Sequence, residues 1–264
     1  MGVIAPVTVT HILKGARNHI ADIRLVCKTG NMKKRLFLAC MIGCINGGAI
    51  AQDRLAPADK QEHGLETYRE LVRRVLGEAF APDVKARVIV EPSFQPELAI
   101  GLRQRGASFE LFSIRPTKHI WNFQLLDMMK TGKIQTLGPS SRNQEAEIKK
   151  LEAGLPNNPE QIPLKRCKVS VEQSIAKTIL SAWSHMLQNI APDDEAPFGL
   201  DGESYYFSMP VSDRELMGQT WSPRQGSRAD KFVRMSFAMR DFCQSQRDSD
   251  LQTISSLAKQ IVED

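Results

Sequence analysis

Eight apolar residues fall on one stripe across a twenty-residue window: Val171, Ile175, Ile179, Leu180, Trp183, Met186, Leu187 and Ile190. Lys177, Ser181, Ser184 and Gln188 lie on the other side. The spacing of three and four is that of an α-helix with one buried face. A one-faced helix cannot bury its stripe alone, so the rest of the chain must supply a surface for it.

Several segments can supply one. KARVIVE and SFELFSI are β-branched or aromatic runs that read as strands, the first ended by Pro92. IPLKRCKVSV alternates, and SYYFSMPV and ELMGQTW read as two further strands joined by a polar turn. A first helix is expected over 63–80, where Leu65, Tyr68, Leu71, Val72, Val75, Leu76 and Ala79 keep helical spacing. FQPELAIGLRQRG reads as a helix, with Pro96 in its first turn and Gly106 as its stop. Ser227 is a candidate N-cap for a last helix running to Cys243. HIWNFQLLDMMKTG carries both signals, and EAEIKKLEA is a short charged helix between two turn-rich stretches.

Helices and short strands alternate without a βαβ rhythm. The expected class is α+β: a single compact domain of short strands packed with amphipathic helices, spanning 63–245, with a polar C-terminal tail over 246–264. The tail carries one weak repeat through Leu251, Ile254, Leu257 and Ile261.

The segment MKKRLFLACMIGCINGGAIAQDR, beginning at Met32, resembles the start of a protein. Lys33, Lys34 and Arg35 are a basic cluster, Leu36 to Ile45 is uncharged and apolar, and Ala49-Ile50-Ala51 closes it with small residues. That order is the pattern of a secretory signal peptide over 32–51, cut after Ala51 to leave Gln52 at the new terminus. The apolar run is shorter than the roughly 20 residues a membrane span requires. Met41-Ile42-Gly43-Cys44 offers a minority alternative, a lipoprotein acylated at Cys44, the one route by which a membrane enters as a partner. Residues 1–31 read as an upstream extension or a mis-called start, and 52–62 as a flexible lead-in.

The leader also explains the charge. The full chain is +5, but residues 1–51 hold seven of its 35 basic groups and one of its 30 acids. The rest is balanced at 28 basic against 29 acidic groups, which removes the main argument for a nucleic-acid partner. Two of the five cysteines, Cys167 and Cys243, remain after cleavage. An even pair in an exported chain predicts a disulfide. Cys243 shares a helix face with Phe232, Ser236 and Met239, and Cys167 a strand face with Val169 and Val171, so a helix packed on that strand would join them.

Catalytic signals are sparse. His63, His119 and His185 stand at no metal-ligand spacing, so neither metal nor cofactor is expected. No phosphate loop, nucleophile elbow or zinc-protease motif occurs. Ser93 reads as a turn serine. The residues best suited to recognition are Asp201 and Tyr205 in FGLDGESYYFS, with Glu203 as a second polar anchor, and Trp221, Arg224 and Arg228 where the last helix begins. The expected function is that of an exported bacterial protein, periplasmic or secreted, that binds a protein or an envelope component. The alternative is a periplasmic or secreted hydrolase whose site is assembled from distant residues such as Glu91, His119 and Asp201.

Overall fold

A computed structural model of the 264-residue chain describes residues 55–58, 66–132, 141–191 and 202–263. The leader, the cleavage site at Ala51 and Gln52, Cys44, His63 and Asp201 lie outside the described residues. The chain divides into two compact units, one of residues 49–124 and 151–264, the other of 1–48 and 125–150.

The larger unit is built on one sheet of seven strands. In chain order these are β1 (Ala56–Pro57), β2 (Val84–Pro92), β3 (Leu98–Arg105), β4 (Ser108–Pro116), β5 (Leu164–Val171), β6 (Glu203–Val211) and β7 (Arg214–Trp221). Their spatial order is β1-β7-β6-β2-β3-β4-β5, and every neighbouring pair is antiparallel. The helices are α1 (Glu66–Val75), α2 (Trp121–Lys130), α3 (Ser141–Gly154), α4 (Gln173–Gln188), α5 (Arg228–Ser245) and α6 (Asp248–Glu263), so the mixed α and β character read from the sequence is present. Most of α2 and the first part of α3 belong to the smaller unit, where Lys149 and Glu145 form a pair one turn apart at 2.9 Å.

Both faces of the sheet are covered. On one, Val88, Val90, Ile100, Leu102, Leu111 and Phe207 pack against α4, α5 and α6. On the other, Ile89, Ala99, Phe112 and Ile114 meet Tyr68, Val72 and Val75 of α1, together with Ile120. The period of two along β2, with Val88 and Val90 on one side and Ile89 on the other, feeds both layers. The apolar stripe from Ile175 to Leu187 lies on α4. Its Trp183 meets Phe232 at 4.6 Å between ring centroids, and Phe232 stacks on Phe207 at 4.2 Å. Ser227 caps α5, its hydroxyl accepting from the Asp230 amide.

Three expectations change. The segment read as a helix ending at Gly106 is strand β3. Leu98, Ile100 and Leu102 face one layer and Ala99 the other, so both faces are apolar and the alternation that marks a strand is erased. Gly106, at φ +60°, makes the tight β3–β4 turn instead of a helix stop. The polar tail is α6, whose Ile254, Leu257, Ala258 and Ile261 are buried. The lead-in is not free throughout: Leu55 is buried in the core and Ala56–Pro57 pair with β7.

Gly101 marks the tightest point of the sheet. A Cβ there would sit 2.4 Å from the Ala86 carbonyl oxygen and 2.7 Å from the Phe112 ring. The carbonyl belongs to the neighbouring strand and cannot swing aside. Gly101→Ala is therefore expected to lower unfolding stability by about 2 kcal/mol in urea titration, whereas Gly77→Ala, where nothing lies within 4 Å, is not.

Candidate functional site

The residues singled out from the sequence go to different places. The Tyr205 ring is core, against Phe207 and Phe237, and only its hydroxyl reaches a polar group, donating to Glu203 Oε2. Burial and then the Glu203 carboxylate push that hydroxyl above the ordinary tyrosine range. Trp221 is half-buried at the end of β7, its ring filling the space where a Cβ on Gly202 would stand. Arg224 is exposed and Arg228 half-buried at the start of α5. Ser93 pins a loop: its hydroxyl donates to the Gly202 carbonyl at 2.7 Å and accepts from the Gly202 amide at 3.2 Å.

His119 does find a carboxylate. Its Nδ1 lies 2.9 Å from Glu97 Oε1. Glu97 is fully buried and accepts from the Tyr68 hydroxyl at 2.7 Å and from the Ile120 and Trp121 amides at 2.8 and 3.0 Å. Burial pushes its carboxyl upward, but His119 and these donors outweigh burial and hold it below the usual glutamate range. The two amides open α2, so Glu97, just ahead of β3, supplies from elsewhere in the chain the acceptor a local N-cap would give. Its lone pairs are occupied by structure.

An open groove lies elsewhere, at the corner of β3, β4, β5 and α5. It comprises a cavity of about 550 Å³ and a second of about 310 Å³, which share Pro96, Leu98, Arg115 and Arg240. Alternation along β4 puts Ser113 and Arg115 on the same face, and Cys167 and Lys165 of β5 stand directly opposite them. From α5 come Arg240 and Gln244, one turn apart, with Cys243 between them. The Cys167–Cys243 disulfide, with its Cα atoms 5.9 Å apart, ties the last strand of the sheet to α5 at the groove wall. The pairing read from the two faces in the sequence is therefore present.

The larger cavity is cationic. Arg115, Lys165, Arg166 and Arg240 line it, and no lining residue is acidic. Two of these have partners outside it: Arg166 pairs with Glu78, which it holds below the usual carboxylate range, and Arg240 with Asp241. Arg115 donates to the neutral Gln95 side chain at 2.7 Å. Like charges directly opposite on one sheet face repel and destabilise, and Arg115 faces Lys165 in that arrangement. The smaller cavity differs, with Val90, Pro92 and Phe237 on its walls and Glu203 as its one carboxylate.

Among the described residues no three His, Cys, Asp or Glu side chains converge to hold a metal ion, and no helix is long and apolar enough to cross a membrane. No protein-family model matches the chain, and no curated protein or solved structure is significantly similar to it.

Proposed function

We propose that the protein acts by binding, outside the cytoplasm after its leader is removed, and that the groove recognises an anionic group on a protein or envelope partner. The observation that carries this reading is the Arg115–Lys165 pair, two like charges held face to face beside Arg240 in the larger cavity, where no lining residue is acidic. A folded chain keeps such a pair against its own stability when an external anion makes it useful. The disulfide supports an oxidising compartment, and the basic, apolar and small-residue order of residues 32–51 supports export.

The test separates binding from folding. Lys165→Glu places a carboxylate opposite Arg115 and is expected to raise stability by about 0.5 kcal/mol. The same change should abolish retention of the partner in pull-downs of mature protein from envelope extract. Undiminished capture would sink the reading. Export is checked by mass spectrometry of protein expressed from Met32, expected to begin at Gln52.

One contact favours a second reading. His119 Nδ1 stands 2.9 Å from the Glu97 carboxylate, and a carboxylate beside a histidine is the neighbour a general base uses for orientation. A turnover that disappears in His119→Gln while Lys165→Glu leaves it intact would favour the enzyme.

A further inference from the structure

β5 stands at the end of the strand order, and among the described residues β4 is its one neighbour. The register shows which of its backbone groups face outward. The Thr117 amide donates to the Pro163 carbonyl at 2.9 Å, one step beyond the Pro116–Leu164 pair. Bonded and unbonded pairs alternate along antiparallel strands, so Lys165, Cys167, Val169 and Val171 turn their amides and carbonyls to β4. Those of Leu164, Arg166, Lys168 and Ser170 turn away from the sheet. Among the described residues the one contact these outward groups make is a long one, from the Arg166 guanidinium to the Leu164 carbonyl at 3.4 Å. A row of open ladder groups is a template for one more strand.

We infer that β5 is completed by an extended acidic segment of a partner protein, laid antiparallel along its open side as a further strand. Charge selects this occupant. Lys165, Arg166 and Lys168 are exposed on β5, and the strand holds no acid. Arg166 and Lys168 both reach Glu78, whereas Lys165 lines the larger cavity and meets no carboxylate among the described residues. A second copy is the wrong partner: pairing β5 antiparallel with itself about Arg166, Cys167 or Lys168 sets a basic residue directly opposite another. A partner residue opposite Lys165 occupies an unbonded position of the new pair, where Cα atoms approach to about 4.5 Å and side chains lie close. A carboxylate there meets Lys165 and offsets its repulsion with Arg115. Further along the same face, the half-buried Val169 and Val171 offer apolar contacts to the residues opposite them. The backbone bonds supply affinity and these side-chain positions supply specificity. This inference rests on the cavity being the anion site, and it names what carries the anion there.

Capped peptides of the length of β5, 8 residues, test it by calorimetric titration. Val and Thr alternate from a first Val, and Glu or Gln replaces the last Val, the place opposite Lys165. The Glu peptide is expected to bind at least tenfold more tightly than the Gln peptide, and the difference should vanish in Lys165→Gln. N-methylation of the Thr residues, whose amides face β5, should weaken the Glu peptide at least tenfold, and N-methylation of the Val residues, whose amides face away, should leave it unchanged. If the two methylated forms bind alike, the strand inference is overturned, while the anion site stands on the difference between Glu and Gln. Equal binding of the Glu and Gln peptides overturns the acidic partner. A parent protein that sediments as a dimer and is split by the Glu peptide would put a second copy on β5 and overturn the inference too. Should no peptide bind, the inference also falls. Inorganic phosphate then decides the underlying reading, which survives if phosphate binds the parent and not Lys165→Glu, and fails otherwise.

Discussion

Glu97→Ala is expected to cost about 3–5 kcal/mol in urea unfolding, because it leaves buried hydrogen-bond donors and a histidine without their acceptor. The Tyr68 hydroxyl and the Ile120 and Trp121 amides all turn to this one carboxylate. Glu97→Gln keeps the volume but points an amide group at these donors, and about 2 kcal/mol is expected. The acid side of the stability curve gives a second readout. The folded carboxyl is held below the usual range, so its contribution is complete above the unfolded glutamate value of about 4.3 and fades as pH falls through the lower folded one. The difference between parent and Glu97→Gln should therefore be constant near neutrality and shrink below pH of about 4. A difference independent of pH would mean that the carboxyl titrates alike in the folded and unfolded states, and one that grows as pH falls would mean that it is neutral when folded.

The second large effect belongs to the disulfide. Cys167 and Cys243 are separated by 76 residues, and closing a loop of that length in the unfolded chain stabilises the folded one by roughly 4 kcal/mol. The Cys167→Ala/Cys243→Ala variant should lose about that much, and dithiothreitol should bring the parent down to the same level while leaving the variant unchanged. Among the described residues β5 has β4 as its one sheet neighbour, so hydrogen exchange should rise first along Leu164–Val171. Equal unfolding midpoints with and without reductant would show that the cross-link does not constrain the unfolded chain.

How much of this was legible in the sequence depended on whether each element kept an exposed face. β5 alternates because one edge and one face meet solvent, and α4 shows a stripe because its outer face is polar. Those elements, the Ser227 cap and the cysteine pairing were readable from spacing alone. β3 was not, since it lies between β2 and β4 with both faces covered, and Leu98 to Leu102 then fit a helix or a strand equally. α6 looked weak because Ala258, one of its four buried positions, contributes little to an apolar stripe and serines surround the rest. The groove had no linear signature. Arg115, Lys165 and Arg240 sit on three elements, and what makes them a site is the strand register, which no spacing in the chain reports. Glu203 was within reach because it adjoins the aromatic strand entry that drew notice for its composition.

The strand order has a kinetic consequence. β2 lies at the centre of the sheet with β3, its immediate successor, on one side and β6 on the other, where Val88 pairs with Phe207. The meander β2–β3–β4 closes over short loops, but the pairing that completes the core must wait for a segment near the far end of the chain. Such non-local contacts make folding slow. During synthesis the early strands emerge without β6, α5 or α6 to cover them, and their apolar faces stay open to chaperones. The proposed export would draw on that interval of looseness, which comes from the order of the strands.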